Sequence, residues 1–305
     1  MTVEPGGAPG LFGDALVTIA RVIIGDARRG LADSELTQAE AVHEVRKALK
    51  RWRALLRLLT RPLGEPADQM RSEARDLMRS LAGARDAQSA LDALHDLRKT
   101  EPTLSATSVK TVRDRLATMR DAAELKSVTP AMLERLNSYL DYATLSLERW
   151  PLNEIDFGTV ADGLTATYRR TRQLIPENWT EADAEQLHTL RRRVVEHRHQ
   201  MELVEHLWPR LGQVWAEEAQ RLRDRLGACQ DLAVLERLTA PHQALAPWRS
   251  RLTPAIATRR GSHLKTAERL TGRLFAEKPK AFRRRIGALW SHRASSKSGP
   301  TKDKD

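Results

Sequence analysis

Cysteine, aromatic residues and long apolar runs are all scarce in this 305-residue chain. A single cysteine, Cys229, excludes an intramolecular disulfide and any zinc site built on paired cysteines. Aromatic residues are only 5% of the chain, too few to fill a core and also provide stacking platforms for single-stranded nucleic acid. No stretch approaches the ~18 apolar residues of a membrane helix. The nearest, Leu16 to Ile24, is interrupted by Arg21. It lacks both the basic lead and the small-residue cleavage site of a signal peptide. There is no phosphate loop of the Gly-x-x-x-x-Gly-Lys kind, no dinucleotide fingerprint and no convincing Ser/His/Asp set. A reducing, cytoplasmic setting is expected.

Charge, by contrast, is abundant. Lys and Arg number 51 against 40 Asp and Glu, a formal net charge of +11. That balance favours a polyanionic partner: nucleic acid, an anionic surface or a phosphate polymer. It is spread unevenly. Residues 1–150 hold 23 basic and 21 acidic residues, whereas residues 151–305 hold 28 and 19. Any anion site in the first half must therefore come from local arrangement.

Apolar residues recur at intervals of three and four almost throughout, and Ala, Leu, Arg and Glu dominate, which predicts an all-α protein. Prolines fall mostly at the breaks: Pro62 and Pro66, Pro102, Pro130, Pro151, Pro176, Pro209, Pro241 and Pro247, and Pro279. Thr37 with Glu40, and Thr180 with Asp183, read as helix starts. An offset of 145 residues aligns the chain with itself. It pairs His43 with His188, Arg46 with Arg191, Lys47 with Arg192, Arg53 with Arg198, Leu56 with Met201, Leu81 with Leu226 and Asp86 with Asp231. A repeat of this length is a duplicated domain. It predicts a tail over 1–11, one helical bundle over 12–150, a second over 151–290 and a disordered basic tail over 291–305.

The segment from Glu40 to Leu59 carries a buried seam, Val42, Val45, Leu49, Trp52, Leu56 and Leu59, spaced 3, 4, 3, 4, 3. One residue on from each of the first five lies a cationic stripe: His43, Arg46, Lys50, Arg53 and Arg57. One position is ~100° of helix rotation, so these heads flank the buried face. The stripe itself holds no acid. At ~1.5 Å per residue it extends about 21 Å, which suits an extended polyanion better than one phosphate. The second repeat keeps His188, Arg191 and Arg198 on its own seam of Leu187, Leu190, Val194, Met201, Val204 and Trp208. It has Val195, Glu196 and Glu202 where the first has Lys50, Arg51 and Arg57.

The run Val42-His43-Glu44-Val45-Arg46-Lys47-Ala48-Leu49-Lys50-Arg51-Trp52-Arg53 resembles the first signature helix of the CHAD family, the conserved histidine α-helical domain. Leu81-Ala82-Gly83-Ala84-Arg85-Asp86 looks like that family's Gly-x-Arg-Asp turn. The segments 187–193 and 226–235 are similar to its second repeat. The resemblance covers residues 12–290. It implies two four-helix bundles about a pseudo-two-fold axis, a basic groove between them, inorganic polyphosphate as ligand and association with polyphosphate granules. Carried over by position, it implicates His43, Arg46, Lys50, Arg51 and Arg53, then His188, Arg191 and Arg198. Val195 and Glu196 depart from the basic residues of the second signature. No Glu-x-Glu-x-Lys strand of the triphosphate-tunnel domain often fused to this family is found.

Arg and Lys suit phosphate oxygens through charge-assisted bonds, which Arg can make in pairs. His43 and His188 are expected at the groove as donors whose charge grows as pH falls. Reversing Arg46 and Arg53 to Glu is expected to abolish binding with little change in stability. Asp86 and Asp231 read as caps of following helices. Cys229 reads as a small buried residue, and Trp52 and Trp208 as core. His197 and His199 are two apart and point to different sides of a helix, so that with His206 they are only a remote metal alternative. The expectation is a polyphosphate receptor or adaptor with no catalytic group, metal or cofactor. A nucleic-acid binder is the rival, and a metal-dependent polyphosphate-processing enzyme a more distant one.

Overall fold

The protein is described by a computed structural model covering residues 12–81, 85–100, 105–124 and 129–297. Among these residues the chain forms eleven α-helices and no strand: α1 Gly13–Ala32, α2 Gln38–Leu63, α3 Glu65–Ser80, α4 Arg85–Thr100, α5 Ala106–Glu124, α6 Pro130–Arg149, α7 Phe157–Gln173, α8 Ala184–Leu203, α9 Pro209–Leu238, α10 Arg249–Leu274 and α11 Pro279–Lys297. Displaced by 145 positions, α1 falls on α7, α2 on α8, α5 on α10 and α6 on α11. Together α3 and α4 fall on the single long α9.

The helix starts follow local chemistry. Thr37 caps α2, and Glu40 closes the box by accepting the Thr37 N–H at 2.9 Å. The start of α8 is capped by Asp183, which accepts from the Gln186 N–H at 2.7 Å. Thr180, expected in that role, instead donates to Asn178. Pro130, Pro209 and Pro279 each open a helix, where a missing N–H costs nothing. Only Gly64 separates α2 from α3. Its φ of 66° and ψ of −137° belong to backbone that L side chains avoid, so this tight reversal depends on glycine. It lays α3 antiparallel along α2.

The α2 seam is buried from Val45 to Leu59, with Val42 only half-buried at its start, and Trp52 donates its indole N–H to the Tyr139 hydroxyl at 2.8 Å. Tyr139 in turn donates to the Met70 carbonyl at 2.9 Å, tying α2, α6 and α3 together. Trp208 is not core. The chain leaves α8 at Leu203, makes a turn over Glu205–Leu207 and brings Trp208 out to 51% exposure.

Self-contained four-helix bundles are not the grouping that packing shows. One large core draws on α1, α2, α3 and α6 together with α7, α8, α11, the first half of α9 and the second half of α10. A second, smaller core joins α4 and α5 to the remainders of α9 and α10, through Leu94, Leu97, Val112 and Leu116 against Leu232, Leu235, Leu252 and Ile256. Residues 226–231, expected to repeat the turn before α4, run on as helix inside α9. Leu226, Cys229 and Leu232 keep a buried face there. Asp231 therefore lies within a helix and not at the start of one. Asp86 lies in the first turn of α4, one residue inside its start, where its charge favours the helix dipole. Gly83 lies outside the described residues. At the other end α11 stays helical to Lys297, past Ser291 where a disordered tail was expected.

A polar latch fixes the small core. Asp96 of α4 accepts two bonds from Arg259 of α10, at 2.8 and 2.6 Å, and one from His263 Nε2 at 2.7 Å. Arg225 approaches the other ring nitrogen of His263 at 3.4 Å. Burial works to raise the Asp96 pKa, but its bonds to Arg259 and His263 prevail and hold it at about 2. The folded value lies below the ordinary carboxylate value. Asp96 therefore stabilises the fold above that ordinary value, and the contribution is lost as pH falls through about 2. Asp96→Asn is expected to cost about 2 kcal/mol at neutral pH, allowing for partial exposure. In urea titrations the gap to wild type should close near the Asp96 pKa. A gap unchanged in acid would mean the charge contributes nothing.

Candidate anion-binding cleft

Helices α2 and α8, which carry the two histidine-bearing segments, cross directly. A buried bond from Gln200 Nε2 to the Ala54 carbonyl, at 3.1 Å, marks the crossing. Beside it opens a cleft of about 500 Å³. From α2 it is lined by Arg46, Lys50, Arg53 and Arg57, and from α8 by His188, Arg191, Arg192 and Arg193. The third wall is α3, with Arg71, Arg75 and Arg79. The two cationic segments thus converge on one space. Among the described lining residues the only carboxylate is Glu196.

The lining splits by how each head is held. Arg46 Nη1 donates to the carbonyls of Met78 and Leu81, at 2.8 and 2.9 Å, and so ends α3. Arg53 is largely buried. That burial, aided by Arg192, pulls its guanidinium down to about 10, still fully charged at neutral pH. Burial also lowers Arg57, opposed by Glu196. Glu196 accepts from Arg57 Nε at 2.9 Å and from Arg193 Nη1 at 2.7 Å. What looked in sequence like lost charge is a clamp between α2 and α8. Arg191 lies over Gly227 of α9, where a Cβ would come within 3.3 Å of its guanidinium.

Three of the expected residues are elsewhere. His43 is exposed and absent from the lining, because α3 ends beside Arg46, a turn short of it. Arg51, ~100° around α2 from Lys50, turns to α1 and pairs with Asp26 at 2.5 Å. Arg198 pairs with Glu202 at 2.7 Å, on the same side as Arg51. Conversely, the α3 arginines were missed. Their spacing of four residues was the available signal, but α3 bears no histidine signature.

Other polar groups are spent on structure. His197 is fully buried and accepts the Trp215 N–H at 2.9 Å; burial lowers its pKa to about 3. His199 bonds to Glu202 at 2.8 Å, and His206 stacks on Phe12. Burial pushes the Cys229 thiol up to about 12. Among the described residues, no three His, Cys, Asp or Glu side chains gather as metal ligands would. No described helix is long and apolar enough to cross a membrane.

Fold and cleft together define a duplicated, all-α protein with a cation-lined cleft where its repeats meet. A family model, the CHAD domain, matches residues 25–240, and the chain belongs to that family. Two solved structures share the fold. The CHAD domain from the plant Ricinus communis aligns with a TM-score of 0.55 at 18% identity, over 94% of this chain and 95% of its own. PptA from Streptomyces chartreusis aligns with a TM-score of 0.63 at 18% identity, over 88% of this chain and 100% of its own. No curated protein matches the sequence.

Proposed function

We propose that the cleft binds inorganic polyphosphate and that the protein serves as an electrostatic receptor or adaptor for it, in the cytoplasm and at polyphosphate granules, without catalysis of its own. One observation carries this reading. Ten Arg and Lys side chains from α2, α3 and α8 line a single open cleft with one carboxylate among them. Gathering that much like charge is costly: burial lowers the Arg53 pKa first, and Arg192, Arg71 and Arg75 lower it further. A flexible polyanion offsets it with charge-assisted bonds and the release of counterions.

Two features weigh against the rivals. Apart from His188, the described lining has no ring on which a base could stack. Its carboxylate already accepts from two arginines, so no acid pair is offered to hold Mg²⁺ beside a phosphate. The test is competition at matched salt between long-chain polyphosphate and duplex or single-stranded DNA. Polyphosphate should displace DNA and, at about 100 times its Kd, stabilise the fold by about 2.7 kcal/mol. Displacement in the opposite sense would make this a nucleic-acid protein. Phosphate released in the presence of Mg²⁺ or Mn²⁺, and abolished by altering one acid, would make it an enzyme.

A further inference from the structure

We infer that the cleft takes one extended polyphosphate chain lying between α2 and α3, and that Arg71, Arg75 and Arg79 make it select long chains over short ones. This rests on the polyphosphate reading above and adds to it a path and a length preference.

The path follows from two antiparallel rails. Because Gly64 is the sole link between α2 and α3, the end of one helix lies beside the start of the other. Arg71 acts electrostatically on both Arg53 and Arg57, and Arg75 on Arg53. At the opposite end Arg46 bonds the last carbonyls of α3. The α2 rail is spaced 4, 3, 4 and the α3 rail 4, 4, so each presents a cation at every turn to the same strip of cleft.

The α3 heads are oriented by acids that stay out of the lining. Asp68 takes Arg71 Nε and Nη2 at 3.1 and 2.8 Å, and Asp76 takes Arg75 Nε at 3.1 Å and Arg79 Nη1 at 3.4 Å. Such partly exposed pairs are weak, so they aim the guanidinium groups without neutralising them. Asp68 also accepts from Thr60 of α2, which holds the two rails in register.

The arrangement is one-sided. At the 145-residue offset the second repeat has Ala216, Gln220 and Asp224 in place of the three arginines. The chain is therefore drawn to the α2–α3 side instead of lying midway between the two repeats. From Arg46 to Arg57 the α2 rail is about 16 Å long. A triphosphate can meet only part of that length, whereas a long chain meets both rails end to end.

The experiment titrates wild type and the triple variant Arg71→Gln, Arg75→Gln, Arg79→Gln with long-chain polyphosphate and with tripolyphosphate. Wild type is expected to prefer the long chain by about 100-fold or more, and the variant to lose about tenfold or more of that preference through the long-chain arm. Its affinity should also fall less steeply with salt, by roughly two to three charges' worth. Equal losses in both arms, or an unchanged ratio, would overturn the length rail. Failure of wild type to bind either polymer would instead remove the polyphosphate reading itself. If the triple variant does not fold, Arg79→Gln, whose side chain is 71% exposed, reads the same ratio. A drop of about threefold is then expected, and no drop overturns the inference.

Discussion

Reversing Lys50 and Arg192 together to glutamate is expected to lower polyphosphate affinity about 1,000-fold while leaving the fold as stable as wild type, or slightly more so. Both residues line the cleft, on α2 and α8 respectively. Each reversal removes a charge-assisted contact worth about 1.5–3 kcal/mol and adds a repulsion. Stability moves the other way because Arg192 is one of the charges that depress the buried Arg53. Removing it relieves part of that crowding. Opposite signs for binding and stability are the mark of a cluster maintained for a ligand. The measurement is isothermal titration at two salt concentrations alongside thermal melting. Parallel losses in affinity and melting temperature would show that the cluster holds the fold.

That choice of residues corrects the expectation drawn from sequence. Reversing Arg46 and Arg53 cannot separate the two roles. Arg46 terminates α3 through two carbonyls, and Arg53 is largely buried. Replacing either with glutamate would disturb packing and binding together. The stripe rule found the right helix face, since Arg46, Lys50, Arg53 and Arg57 all line the cleft. It gave no account of depth. How far a guanidinium sits below the surface depends on the neighbouring helix, which a periodicity does not contain.

Other parts of the structure were legible to different degrees for similar reasons. The α2 start at Thr37 is written in four consecutive residues, and a 145-residue offset recovers most of the helix correspondence, because both rest on local spacing. Continuity of α9 across residues 226–231 was not legible. The repeat suggested a turn, yet the segment lacks proline and keeps its apolar faces in helical register, so helix propagation prevails. The joining of α4 and α5 to α9 and α10 is a long-range choice among apolar faces of similar character, and the Asp96–Arg259 pair that fixes it joins residues 163 apart. Arg51 and Arg198 show the limit of carrying a motif over by position. Both match the signature, and both are drawn to acids outside the cleft.

Glu196→Gln is the variant expected to bind polyphosphate more tightly and to fold less stably. The Glu196 carboxylate, 15% exposed, neutralises Arg57 and Arg193 at the meeting of α2 and α8. Glutamine preserves the shape but leaves two poorly hydrated guanidinium groups facing each other, at a cost of about 3 kcal/mol. The same change raises the net charge of the cleft by one unit. It also frees two donors near the Arg57 end, which should tighten polyanion binding about tenfold. Added polyphosphate should therefore raise the melting temperature of the variant more than that of wild type, because the ligand replaces the missing counter-anion. Thermal melting with and without polymer, paired with direct titration, reads both effects. Weaker binding by the variant would mean that Glu196 holds the arginines in the geometry the polymer needs, and the carboxylate would then belong to the site as a positioning residue, not as an internal competitor.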